Sequence, residues 1–257
     1  MPGAGDGGST VFQVFDAHAH IGVYGGWNCP AEALVRAMDA RGVRWAVVGD
    51  LASNAFGAKA FEETARVTDA YPGRLFPLLW INPALPGDID FARRAAESGR
   101  AAGMKAHPQT CRVRLGDERY APYMEICRKF NLTFAAHTEA DGYSDMDGLM
   151  EMADEYPDVR FVAVHMEFRS DHRRAIREIS KRENVFADTT FVPLADVLFA
   201  VETLGAERVV FGSDAPVIGS KCYDALETLS NAVLNRFGSE AARLVFRDNG
   251  ERLYRTE

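Results

Sequence analysis

The sequence predicts an α/β protein built as a (β/α)8 barrel, the TIM-barrel class, and three observations carry that prediction. Eight short apolar runs are spread along 257 residues, amphipathic segments fill the intervals, and polar residues gather where the runs end. A doubly wound open sheet with fewer paired strands is the alternative architecture.

The apolar runs, rich in Val, Phe, Leu and Ala, are taken as strands in order: "VFQVFDAH" (11–18), "RWAVVGDL" (44–51), "LFPLLWINP" (75–83), "AGMKAHP" (102–108), "LTFAAHT" (132–138), "RFVAVHME" (160–167), "VFADTTF" (185–191) and "RVVFGSDAP" (208–216). Between them, "PAEALVRAMDARG", "AKAFEETARVTDAYPG", "APYMEICRKFN", "MDGLMEMADEYPD" and "DHRRAIREISKREN" read as helices. Several open on Pro or Asp and close near Gly or Asn. Past residue 237, "FGSEAARLVFRDNGERL" reads as terminal helices packed outside the barrel. No linker or repeat divides the chain, so residues 1–10 are expected as a flexible tail and 11–257 as a single barrel domain.

A net charge of −8 disfavours nucleic acid and anionic membrane surfaces and points to small-molecule chemistry. Residues 1–10, "MPGAGDGGST", lack the basic and apolar regions of a signal peptide, and no run reaches membrane-spanning length, so a cytoplasmic protein is expected. The four cysteines are scattered without a C-x-x-C pair, which argues against a zinc ribbon or a redox dithiol.

Active sites of such barrels form at the C-terminal ends of the strands. Five of the six histidines fall there: His18 and His20 where the first run closes, His107 on the fourth, His137 on the fifth and His165 on the sixth, with Asp214 on the eighth. Side chains two apart on a strand share a face, so Asp16, His18 and His20 are expected to face the pocket together. Assembling so many imidazoles with a carboxylate is costly without a cation to stabilise them, which points to a metal. His172, at a helix start, reads as solvated or capping. His107 divides between structural hydrogen bonding and substrate contact.

These motifs, "DAHAHIG", "GMKAHPQT", "FAAHTEADG", "RFVAVHMEF", "VFADTT" and "VVFGSDAP", together resemble the amidohydrolase superfamily. The closer likeness is to the amidohydrolase-related branch that contains aminocarboxymuconate-semialdehyde decarboxylase. The resemblance implies a distorted barrel with one divalent metal held by His18, His20, His137 and Asp214. It also implies catalytic roles for Asp214, as metal ligand and proton carrier, and for His165, as a donor toward substrate. The nitrogen-rich set suits zinc best, with manganese, iron or cobalt as other occupants. A second metal is implied only if Lys105 is carbamylated, and the local pattern favours an unmodified lysine. The leading expectation is a metal-dependent hydrolase of an amide, lactone or ester. The alternative is nonoxidative decarboxylation of an unsaturated or aromatic carboxylic acid.

Lys105, His107, Arg169 and Asp188 are the candidates for substrate contact or ligand support. Arg112 and Arg114 are further candidates for gripping a carboxylate, with solvated surface positions as the plain alternative. Trp27 is placed either at the pocket mouth or in a packed lid. Glu139 and Asp141 depart from the glycine that many relatives carry soon after the threonine. The expected partner is a small molecule, such as a carboxylate, and a homodimer follows only from family habit.

Overall fold

The computed structural model describes residues 13–254. The expected tail over residues 1–10 and the start of the first run lie outside the described residues. The strands are β1 (Val14–Tyr24), β2 (Trp27–Cys29), β3 (Val43–Asp50), β4 (Leu75–Ile81), β5 (Gly103–Ala106), β6 (Phe134–Glu139), β7 (Phe161–Phe168), β8 (Val185–Asp188) and β9 (Val209–Val210). They form one sheet in the order β2-β1-β3-β4-β5-β6-β7-β8-β9, with every neighbouring pair parallel except β1 and β2.

The sheet closes on itself. Ala17 N donates to Phe211 O at 2.8 Å, Asp214 N to His18 O at 2.8 Å and His20 N to Ala215 O at 2.6 Å, and Ala19 bridges Ala215 in parallel. Eight parallel strands, β1 and β3 through β9, therefore make a barrel, and the open sheet is set aside.

Several boundaries differ from the sequence expectation, and two of them have clear physical reasons. β1 runs on to Tyr24 because Gly25 and Gly26 take positive φ (57° and 93°) and fold "GVYGGWN" into a hairpin with β2. The eighth run keeps regular pairing only at Val209 and Val210; beyond them its backbone turns to bond β1.

Helices join the strands where expected. Ala121–Phe130 ends on Asn131 in the left-handed region (φ 53°), and His172–Ser180 is capped by Asp171, whose side chain accepts from Arg173 N. Their apolar faces, such as Ala175, Ile176 and Ile179, pack on the outside of the barrel.

A separate apolar cluster fills the barrel below the strand ends: Phe15, Ala17, Val47, Leu78, Ala102, Ala135, Val162, Phe186 and Val210, with Leu253 and Tyr254. The terminal helix Asn249–Leu253 thus does more than pack outside. It delivers Tyr254 onto Phe15, the rings parallel to within 2° with centroids 6.4 Å apart. Gly103 and Gly250 leave the room for this plug: a Cβ on Gly250 would stand 2.2 Å from Phe15 Cδ1. Gly250→Ala is expected to destabilise the barrel by about 1–3 kcal/mol through overpacking, read as a lowered denaturation midpoint at unchanged m-value.

Candidate metal centre and active site

Five strand ends bring seven polar side chains to one cavity of ≈ 270 Å³: His18 and His20 from β1, Lys105 and His107 from the end of β5, His137 from β6, His165 from β7 and Asp214 from beyond β9. His20 Nε2 lies 2.7 Å from Asp214 Oδ1 and His18 Nε2 lies 3.4 Å from the same oxygen, while the two Nε2 atoms are 3.1 Å apart.

The protons of these rings follow from their other nitrogens. His20 Nδ1 is 3.2 Å from Gly49 O, and a carbonyl only accepts, so the proton sits on Nδ1 and Nε2 is a bare lone pair. His18 Nδ1 is 3.3 Å from Thr190 Oγ1, whose hydroxyl bonds Asp188, so His18 donates into that chain and bares its Nε2 as well. Two lone pairs and a carboxylate oxygen then meet with no donor among them. A divalent cation satisfies that donor set, and the residues present fit one.

His165 Nδ1 donates to Thr190 O at 3.2 Å, which bares its Nε2. His137 differs: its Nε2 faces Glu139 Oε2 at 3.2 Å, and Glu139 Oε1 accepts from Arg169 Nη1 at 2.9 Å. The carboxylate takes the Nε2 proton and leaves Nδ1 bare. His137 stands beside the trio, its ring centroid 4.9 Å from that of His165. A second trio, His18, His165 and Asp188, is also compact. There the Asp188 carboxylate already accepts from His165 N (3.2 Å) and Thr190 N (2.9 Å), so His18, His20 and Asp214 make the better cation site.

The backbone is strained where these groups are presented. His165, Met166 and Glu167 have φ of 71°, 48° and 64°, and Asp214 has 59°, the left-handed region that side chains disfavour. Bonds from His165 N to Asp188, from Glu167 N to Thr138 Oγ1 (2.7 Å) and from Asp214 N to His18 O hold them there.

Burial, reinforced by mutual repulsion with Lys105 and other imidazoles, holds His18, His107 and His137 well below the ordinary histidine range; burial takes His165 down to about 4. Burial pushes Asp16 up to about 7 and Asp188 up to about 6. Burial also pushes Asp214 upward, but the surrounding His20, His165 and Lys105 side chains favour its charged form, outweigh burial and leave the carboxylate well below its ordinary range.

Below pH about 6.5 the unfolded chain binds protons on these histidines that the folded barrel refuses. Their stabilising contribution is therefore present above that pH and is lost as the pH falls toward about 4, where His165 itself titrates. Asp16 and Asp188, together with Asp50 and Asp88, which burial also raises, work in the opposite sense, since the folded barrel protonates them first, but they offset only part of the effect of four imidazoles. The metal-free protein is expected to lose thermal stability steadily from pH 7 to pH 4.5. A flat melting profile over that range would refute this.

Several sequence expectations are corrected by the geometry. Asp16 does not face the cavity: the β1–β3 register shifts between Asp16 and Ala19, so Asp16 points to the outer side. There it accepts from Ser213 Oγ, Tyr223 Oη (2.7 Å) and His18 N (3.1 Å). His172 is buried and donates to Met166 O at 2.9 Å. Arg169 is bound to Glu139, and Arg114 Nη1 lies 3.5 Å from Glu151; neither these nor Arg112 lines the cavity. Asp188 sits behind the imidazoles and supports His18 and the His165 backbone. Trp27 does line the mouth, with Tyr24 beside it.

Trp80 and Phe191 were missed. Trp80 stacks on His107 (5°, 6.1 Å), which stacks on His137 (11°, 3.9 Å), while Phe191 lies parallel to His165 (1°, 5.6 Å). Trp80, at the end of β4, was detectable from its place at a strand end.

Comparison with known proteins extends this picture. The structure is similar to 5-carboxyvanillate decarboxylase from Novosphingobium aromaticivorans, solved with manganese and 4-hydroxy-3-methoxy-5-nitrobenzoic acid (TM-score 0.75, 14% identity, 96% of this chain and 97% of that one). It is similar to 2,6-dihydroxybenzoate decarboxylase from Rhizobium (TM-score 0.71, 15% identity, 94% and 98%). It is also similar to a dihydroxybenzoic acid decarboxylase from Polaromonas, solved with manganese and 2-nitroresorcinol (TM-score 0.72, 13% identity, 94% and 96%). At such identities the likeness is one of fold. No curated protein matches the sequence.

These neighbours overturn hydrolysis as the leading expectation. The ligand pattern serves both chemistries, so it could not separate them, and the neighbours of this architecture cited here carry out decarboxylation. Their metal is manganese where one is named, so a divalent ion is supported and zinc in particular is not. The family model described as amidohydrolase matches residues 15–256, nearly the whole chain, and the chain belongs to that family.

Proposed function

We propose that the protein is a divalent-metal-dependent decarboxylase of a single-ring aromatic carboxylic acid bearing a hydroxyl group. The observation that carries this is the meeting of bare His18 Nε2, bare His20 Nε2 and Asp214 Oδ1 at a cavity of ≈ 270 Å³ walled by flat rings. The chemistry of the structural neighbours supports the reading. His18, His20 and Asp214 would hold the ion, with His137 closing the set through Nδ1. Manganese is the working ion, after those neighbours, and zinc, which suits the nitrogen-rich set, is the comparison.

A divalent ion there would supply the positive charge that holds the substrate's oxygens and takes up electron density as the carbon–carbon bond breaks. The chain's own residues do the rest. His165, neutral and with Nε2 bare, would help to orient the substrate beside Asp214. Asp214 takes the hydroxyl proton and passes it to the ring carbon that bears the carboxylate. The bond to the carboxylate then breaks, its electron pair restores the ring, and carbon dioxide leaves with no net oxidation. Trp80, His107 and His137, stacked on one another, line the cavity and would bound the substrate's ring on one side.

The test is incubation of manganese- and zinc-loaded protein with hydroxybenzoic acids, including 2,6-dihydroxybenzoate, with direct detection of carbon dioxide. Release that depends on metal is expected. A fully loaded, folded protein that releases none from any of them would overturn the reading.

A further inference from the structure

Lys105 projects from β5 into the cavity, yet only 1% of it is exposed, and its Nζ has no hydrogen-bond partner among the described residues. A buried ammonium without a partner is costly, and natural cores seldom retain one unless something arrives to meet it. The carboxylates of Asp214 and Asp188 attract it from beyond hydrogen-bond reach, while burial lowers its pKa to about 8, so it remains largely charged at neutral pH.

Among the described residues, no other lysine or arginine lines the cavity. Among the described residues the cavity therefore holds a single lysine or arginine, and it is buried.

The ligand's chemistry follows from charge flow. Decarboxylation drains negative charge from the leaving carboxylate, so an ammonium clamped on that group would stabilise the ground state and slow the reaction. Charge accumulates instead on a ring oxygen that stays behind, and a preorganised cation in a dry site acts most strongly there.

We propose that Lys105 is the oxyanion-binding site of this cavity and pairs with a phenolate oxygen that the substrate keeps through the reaction. This rests on the decarboxylase reading for its role in turnover, but the binding site is testable without turnover.

The probe is 4-nitrophenol, whose phenol and phenolate forms differ in absorbance, titrated in the presence of wild-type, Lys105→Met and Lys105→Gln protein. Both manganese-loaded and chelator-treated samples are used, and circular dichroism confirms folding. Bound nitrophenol is expected to ionise about one pH unit lower, or more, on the wild type than on either variant, in both samples. Equal ionisation on wild type and a folded variant would overturn the proposal, as would the absence of any shift on the wild type. Carbon dioxide release from hydroxybenzoic acids is measured separately. A Lys105-dependent shift without release would sink the decarboxylase reading alone, and release with no such shift would sink the oxyanion site alone.

Discussion

Asp214→Asn is expected to lower carbon dioxide release by roughly 10²-fold or more while the protein keeps much of its metal. Asparagine preserves the shape of the side chain and an oxygen directed at His18 and His20, so ion binding weakens without vanishing. It removes the only group in the proposed path that can take up and return a proton at that spot. Its backbone also suits the site, since Asn tolerates the left-handed conformation that residue 214 adopts (φ 59°). Near-wild-type turnover by the metal-loaded variant would take Asp214 out of the proton path.

His20→Ala should have the larger effect on metal content. Its Nδ1 is anchored to Gly49 O, so Nε2 is aimed at Asp214 Oδ1 before any ion arrives. Loss of one such preorganised ligand is expected to weaken divalent-ion binding by about tenfold or more and to remove carbon dioxide release with it. The barrel should stay folded, because the ring lines the cavity rather than filling the apolar plug below the strand ends. Elemental analysis of the dialysed variant decides: unchanged metal content would reject His20 as a ligand.

The barrel was legible because strand burial writes itself locally, as runs such as "RFVAVHME" bounded by polar residues. The gathering of histidines was legible for the same reason, since strand ends are marked by where the apolar run stops. Orientation was less accessible. One irregularity between Asp16 and Ala19 turns Asp16 away from the side that His18 and His20 face, and such a shift leaves no trace in composition. Partner choice was equally hidden. Arg169 looked available for a substrate carboxylate, but Glu139, brought beside it by the packing of β6 against β7, claims it. The segment ending at Leu253 read as a peripheral helix, because nothing local says that it carries the next residue, Tyr254, under the barrel.

The closure between β1 and the stretch beyond β9 joins the two ends of the fold: Asp16 and Ser213, hydrogen-bonded across it, are 197 residues apart in the chain. His18 and His20 stand on one bank of that join and Asp214 on the other. Whatever grips both banks therefore acts as a buckle on the entire ring rather than on a local loop, and its free energy of binding adds to the free energy of unfolding. Supply of the ion would then set how long each copy of the protein survives proteolysis, as well as how fast it works.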